Sequence, residues 1–544
     1  TAIRNLVNIK LPKRLLKRRM RVPEGFRCQD LSHHDVLSLV RKFAACQPDL
    51  DGEVVVIGPR TAGAYFAPLA KYYLRSLGWR AVSCFTIRPK LGLSRWENRM
   101  LRSLGSRDFR VVVVDDHPNT GRTFSLLLKL LQEFGVQPER ITLLVFRHPV
   151  RPDWTLPREA AGADAIRVIT LDPEEIHKEK LLEPCSVRTL FDEYFKDLGF
   201  EQICLEESCA IDALNADFVR HYRDGFHVRV KRLYEIRLSS GNGTYCIKRI
   251  IAKSVGWGWL GYHAYLAGNA LAGFVPPVIG LRNGILFTQW LDDAGGKQTD
   301  AKRQAIVRAI PSYVARRVHC LQLAEDPCSE SPDHDWTGST VMINLLFRNV
   351  YGRFTGLLKL PALRRQLRRY DTPCPTLIDG QMGPNEWVAT NAGIYKVDFE
   401  HLNFGGAALN VVDPAYDLAA AIFEFRLSES EEAEVMLAYE QESTDLTVRN
   451  RILLYKLLYG RLAMNRAKEK SATEHLTEAG RSWNLQRLFA RKFLICQMAR
   501  FCASLSETLS ASAWTGDLFF MDLDGVLDAD HIGFPHTTMN GLNA

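Results

Sequence analysis

Four successive valines, Val111–Val114, run directly into Asp115 and Asp116, and then into His117-Pro118-Asn119-Thr120-Gly121-Arg122-Thr123. Successive side chains of a strand point to opposite faces, so a run that is apolar at every position needs both faces covered. That predicts a strand inside a parallel sheet with helices on either side. The neighbouring pattern agrees: Val54–Gly58, Ala81–Ile87, Phe109–Asp116 and Ile141–Phe146 read as strands, with helical period over Ala64–Leu77 and Thr123–Phe134. In such sheets ligands sit beyond the carboxyl ends of the strands, which is where Asp115 and Asp116 fall. Small and hydroxyl residues at a strand-to-helix turn offer backbone N–H groups to a phosphate. Two adjacent carboxylates suit a diol such as ribose.

The 544 residues exceed one ordinary core, so roughly two to four domains are expected. The hydrophobic fraction is that of a globular protein, and no apolar run is long enough to cross a bilayer. The twelve cysteines form no C-x-x-C pair and no zinc-spaced cluster, a pattern of reduced thiols that leads us to expect a cytoplasmic protein. The net charge of +8 is small, and much of it lies in a basic leader, residues 1–22, with Lys10, Lys13, Arg14, Lys17, Arg18, Arg19 and Arg21. We read this run as a solvated leader rather than a nucleic-acid or membrane contact. The chain opens on Thr and closes just after a motif that should open another domain, so a fragment of a longer protein is expected.

The Val111–Thr123 segment resembles the PRPP-binding motif of type I phosphoribosyltransferases (PRPP, phosphoribosyl pyrophosphate). Gly58-Pro59-Arg60-Thr61-Ala62-Gly63 follows the first strand, where that family places its pyrophosphate loop. Thr86–Arg99, reading TIRPKLGLSRWENR, follows the second strand, where the family has a mobile basic loop. Arg122 departs from the glycine that many members carry. The resemblance implies transfer of ribose 5-phosphate from PRPP to a nitrogenous base, with release of pyrophosphate and with Mg²⁺ on the diphosphate. It implies catalytic roles for Asp115, Asp116, Arg88 and Lys90. It also implies PRPP contacts from Arg60, Thr61, Gly63, Asn119, Thr120, Gly121, Arg122 and Thr123. Catalysis would then be positioning and charge stabilisation rather than covalent chemistry.

From Arg229 to Ile250 two β-rich runs are joined by Ser-Gly-Asn-Gly, and Asn242-Gly243 is a hairpin signal. Lys248 ends the second run in Cys-Ile-Lys, as the nucleotide-phosphate lysine does in kinases. Phe274–Leu291, then TLIDGQMGPNEWVATNAGIYKVDFE at Thr376–Glu400 and DPAYDLA at Asp413–Ala419, resemble aminoglycoside phosphotransferase-like kinases. The resemblance implies that Asp398 chelates Mg²⁺. The catalytic loop departs from the family: alignment on Gly383-Pro384 puts Gln381 where an aspartate belongs, Asp379 falls two residues early, and Asn385 follows at an irregular spacing. His263 stands where a glutamate partner for Lys248 would be sought. A small-molecule kinase using ATP and a degenerate, ligand-binding pseudokinase both stay open.

Leu518–Leu527, reading LFFMDLDGVL, resembles the first motif of haloacid dehalogenase-type phosphatases, with Asp522 as nucleophile, Asp524 as acid/base and both facing Mg²⁺. The expected fold is thus multidomain, α/β and α+β. It comprises a parallel-sheet phosphoribosyltransferase domain over 23–200, a bilobal kinase-like domain over 201–512 and a truncated Rossmann-like start over 513–544. The expected principal activity is phosphoribosyl transfer within a multifunctional nucleoside or nucleotide-metabolite enzyme. The alternatives are a PRPP- or nucleotide-sensing regulator with a pseudokinase domain, or a small-molecule kinase. Expected partners are PRPP, a small-molecule base and ATP, with no membrane, no clear nucleic-acid partner, and a homodimer left open.

Overall fold

The computed structural model describes residues 30–47, 49–104, 109–118, 121–148, 153–157, 162–221, 230–241, 244–256, 259–293, 299–324, 372–400, 412–473 and 477–511. The chain divides into two compact units, Thr1–Tyr262 with Ile279–Trp290, and His263–Val278 with Leu291–Ala544.

The first unit opens with α1 (His33–Cys46), β1 (Glu53–Pro59), α2 (Gly63–Ser76), β2 (Val82–Ile87), α3 (Arg95–Arg102), β3 (Phe109–Val114), α4 (Arg122–Glu133), β4 (Ile141–Phe146) and β5 (Arg167–Leu171). The five strands form one parallel sheet in the order β2-β1-β3-β4-β5. The valine run behaves as its pattern predicts. Val112 and Val114 enter a core with Phe43, Phe66 and Leu74 from α1 and α2. Val111 and Val113 enter the opposite core with Leu101, Phe124 and Leu128 from α3 and α4. The order reverses between β1 and β3, the switch point at which doubly wound sheets open a crevice.

Next come α5 (His177–Leu181), α6 (Pro184–Asp197), β6 (Gln202–Glu206), α7 (Cys209–His221), β7 (Lys231–Ser239) and β8 (Tyr245–Ser254). The helix α8 (Trp259–Ala270) crosses from the first unit into the second, and β9 (Val278–Arg282) and β10 (Ile285–Gln289) return to the first. A second, antiparallel sheet runs β6-β7-β8-β10-β9. Val187, Phe191 and Phe195 of α6 cover one of its faces, against Tyr234, Ile236, Leu238, Ile250, Ala252, Ile285 and Phe287. A buried polar knot ties the start of the described chain to this sheet. The Asp30 carboxylate accepts from Val230 N (2.8 Å), Lys178 Nζ (3.1 Å) and the Ser254 hydroxyl. The ammonium of Lys178 is thus buried with its counter-charge rather than alone, the only condition under which such burial is stable.

The second unit contains α9 (Asp300–Leu321), the hairpin β11 (Trp387–Thr390)–β12 (Gly393–Lys396), and the helices α10 (Ala415–Glu424), α11 (Glu429–Ser443), α12 (Val448–Thr473) and α13 (Glu478–Ala511). Helix α9 packs on α11 and α10, α10 on α12, and α12 on α13. Among the described residues no helix is long and apolar enough to cross a membrane.

Candidate functional site

In the second unit the chemistry converges on the segment 377–400. Tyr313 and Arg317 stand one helical turn apart on α9, so both project from the same face, and both side chains are fully buried. The Arg317 guanidinium donates to the carbonyls of Leu377 (2.9 Å), Ile378 (3.1 Å) and Phe399 (3.1 Å), to Tyr313 Oη (2.7 Å) and to Asp379 Oδ2 (3.4 Å). One side chain therefore staples the segment 377–379 to the Asp398-Phe399 turn. A lysine could not, because its ammonium lacks the planar fork.

Asp379 is surrounded by donors. Its carboxylate accepts from Tyr313 Oη and Arg317, from Gln381 N (3.1 Å), and lies 3.4 Å from Lys396 Nζ. Asp417, on the first turn of α10, accepts from Asp379 N (2.8 Å) and Gly380 N (2.7 Å), fixing the loop from its backbone. Two buried acids thus meet two buried cations, Arg317 and Lys396. Burial, and then the neighbouring Asp379 carboxylate, push Asp417 up to about 6, against the pull of Arg317 and the two backbone donors. Burial drives the Tyr313 hydroxyl well above its ordinary range, so it donates and does not ionise. In Arg317, burial is outweighed by Tyr313 and Asp379, which hold the guanidinium charged.

Asp379 therefore positions the loop; a proton acceptor needs an accessible lone pair within reach of the substrate, and this carboxylate is enclosed. Gln381 is half-buried, Asn385 is exposed on the turn before β11, and Asp398 follows β12 in a left-handed conformation (φ 53°). Left-handed backbone is uncommon outside glycine but tolerated by Asp. The sequence reading located this loop and Asp398, and it marked the acidic start of α10. It missed Tyr313, Arg317 and Lys396, which no local motif announces.

In the first unit, Lys248 shares the strand face of Ile250 and Ala252, the face under α6, and its ammonium lies 6.0 Å from the Phe195 ring centroid. The next residue, Arg249, belongs to the opposite face and donates to Glu235 (2.7 Å) across the β7–β8 ladder. Period-two alternation would have separated the two, had the packed face been known. His263 is buried in the second unit.

At the carboxyl edge of the parallel sheet, Gly58 and Gly63 touch through their backbones. A Cβ on Gly58 would meet Gly63 O at 2.2 Å, and one on Gly63 would meet Gly58 C at 2.3 Å. Arg60, in the turn between them with Thr61, is ion-paired to the buried Glu97 of α3. Glu97 also accepts from Ser94 N (2.7 Å) and Arg88 N (3.1 Å); despite burial, these bonds and Arg60 hold it below the ordinary carboxylate range. Burial, and then Asp116, push Asp115 well above that range, against the pull of a backbone bond from Asp116 and of Lys90. Gly121 takes φ 71° against Pro157 and Trp154, and Arg122 and Thr123 open α4. Asn119, Thr120, Asp522 and Asp524 lie outside the described residues.

No family model and no curated protein matches the chain. Solved structures that it resembles include a choline kinase from Streptococcus pneumoniae, at 13% identity and TM-score 0.31, covering 57% of this chain and 98% of that one. They also include a choline/ethanolamine kinase family protein from Mesorhizobium loti (14%, 0.32, 48% and 85%) and an ethanolamine kinase from Plasmodium vivax (13%, 0.33, 58% and 89%). Likeness at this level assigns no activity to the chain. These solved structures are kinases by name and not phosphoribosyltransferases, so the expectation that phosphoribosyl transfer is the principal activity is corrected and not carried forward.

Proposed function

We propose that the chain is a small-molecule kinase, moving a phosphoryl group from MgATP to a small hydroxylated acceptor. The observation that carries this is the Asp417-anchored loop at Asp379–Gly380, stapled by Arg317 to the turn that bears Asp398. Kinase chemistry asks for such a rigid loop, a metal-binding carboxylate just beyond a hairpin, and a β-rich sheet for the nucleotide. The segments 201–512 would then form the kinase module, with 23–200 preceding it in the sequence as an α/β module.

Asp398 and Asn385 are hard oxygen donors. Among the described residues there is no cluster of three metal-ligating His, Cys, Asp or Glu side chains. That donor set fits Mg²⁺, which keeps several waters and binds through one or two carboxylates plus substrate phosphates. Bound there, the ion would neutralise the phosphate charge that develops in transfer. Arg249, on the sheet face opposite α6, is the cation we assign to the nucleotide phosphates; Lys248 serves from the neighbouring position only if its side chain turns across the strand. Because the transition state of phosphoryl transfer is loose, positioning outweighs proton removal. Gln381 would orient the acceptor hydroxyl, as a glutamine orients the attacking water in some nucleotide hydrolases.

A second reading is nucleotide binding without transfer, favoured by the amide of Gln381 where a carboxylate is usual. One assay separates them: ADP release from MgATP with choline, ethanolamine, aminoglycosides and nucleosides as acceptors. The kinase reading expects acceptor-dependent turnover that Asp398→Ala abolishes and Gln381→Ala lowers by about ten- to a thousandfold. Tight MgATP binding with no acceptor-dependent release would leave the sensing reading and sink the kinase one.

A further inference from the structure

The antiparallel sheet of the first unit has one face filled by α6, so a nucleotide can use only the other. Helix α7 runs across that other face. Strand β6 pairs with β7 only over Glu235–Ser239, which leaves Leu233 beyond its end. There the Asn215 carboxamide takes the place of a strand: Leu233 N donates to Asn215 Oδ1 (2.7 Å) and Asn215 Nδ2 donates to Leu233 O (3.0 Å). Edge groups of a sheet need partners, and here a side chain supplies both. Less than one turn further on, Phe218 meets the indole of Trp290, with ring centroids 6.1 Å apart and tilted by 57°. Trp290 continues β10, its N–H donating to Arg249 O (2.9 Å). Strand alternation places Trp290 with Leu286 and Thr288, away from Ile285 and Phe287 and therefore away from α6. From β7 to the end of β10, α7 thus spans β8 on the face that carries Ile247, Arg249 and Ile251.

Among the described side chains Ile211, Asn215 and Phe218 face the sheet, while Leu214 and Val219 are 37% and 54% exposed. A 13-residue helix holds marginally by itself, and α7 is tied to the sheet by side chains rather than by a backbone ladder.

We infer that α7 is a displaceable gate over the nucleotide face: Phe218 on Trp290 closes it, and MgATP binds by lifting α7 off the sheet. The inference rests on the kinase reading above, and its failure is separable from that reading's. A closed gate lowers the fraction of binding-competent molecules and weakens apparent affinity by the same factor. An aromatic contact of this kind is worth about two- to tenfold in such an equilibrium. The test is calorimetric titration of the full chain with Mg²⁺ and a non-hydrolysable ATP analogue, for wild type, Phe218→Ala and Asn215→Ala. Each variant should bind more tightly, by about two- to tenfold for the lost ring contact or the lost hydrogen bonds. Amide exchange on the wild type needs no variant: the analogue should speed exchange across residues 209–221. Unchanged or weaker binding by both variants, or slowed exchange over 209–221, would overturn the gate while leaving the nucleotide site intact. Absence of binding in all three proteins overturns the gate and the kinase reading together.

Discussion

Replacing Arg317 with methionine should release the loop that carries Gln381 while leaving the helix that carries it in place. Methionine matches the length of the aliphatic stem and retains helix propensity, so the change is confined to the guanidinium. Three carbonyls, those of Leu377, Ile378 and Phe399, lose their donor, and Asp379 keeps only Tyr313, Gln381 N and Lys396. An unsatisfied buried carbonyl costs roughly 1–3 kcal/mol, and removing one partner of a buried ion pair roughly 3–5 kcal/mol. These terms overlap, since one side chain supplies both, and water entering the gap recovers part of the loss. About 3–5 kcal/mol is therefore the expected local destabilisation, a large share of the roughly 5–15 kcal/mol that holds a domain folded. The direct readout is amide exchange at Asp379 and Gly380, whose N–H groups are held by Asp417. That energy corresponds to exchange faster by about two to four orders of magnitude. The deficit should shrink as pH falls. With Arg317 gone, two buried acids face Lys396 alone, and protonating Asp417, already pushed up to about 6, relieves the imbalance. Arg317→Lys should be intermediate, restoring charge without the fork. Exchange at Asp379 and Gly380 within about tenfold of wild type in Arg317→Met would refute the staple.

Two further outcomes concern the first unit. Burial, opposed by Arg232, pushes Glu179 up to about 7 from an ordinary 4.5, so the folded state holds its proton over a range where the unfolded state has lost it. Stability should accordingly fall as pH rises from about 4.5 to about 7, and Glu179→Gln should melt higher than wild type at pH 8 and equal it at pH 4; a variant that melts lower at pH 8 would show that the Arg232 attraction dominates instead. Gly63→Ala drives a methyl into the Gly58 backbone at 2.3 Å, and should cost about 1–3 kcal/mol by overpacking, read as a lowered thermal midpoint, whereas an unchanged midpoint would mean the turn can open without loss. The loss of turnover expected for Asp398→Ala and the tighter nucleotide binding expected for Phe218→Ala complete the set.

What the sequence determined by itself was the kind and order of elements. Val111–Val114 could only be a strand covered on both faces, and the two cores receive its side chains alternately. The loop at 376–400 and the acidic start of α10 were legible as well, because short-range spacing sets turns, hairpins and helix starts. Tertiary structure decided what those residues do. Asp379 reads in the sequence as a candidate catalytic acid; buried against Tyr313, Arg317 and Lys396, it is a positioning group. Arg60 reads as a phosphate ligand, and packing sets beside it the Glu97 carboxylate, 37 residues along the chain. Lys248 and Arg249 are neighbours in sequence and lie on opposite faces of a sheet, and only the packing of α6 shows which face is filled. The reason is common to all three. Local pattern fixes backbone conformation within a few residues, while the charge and burial that set a side chain's chemistry come from groups brought together only when the chain packs.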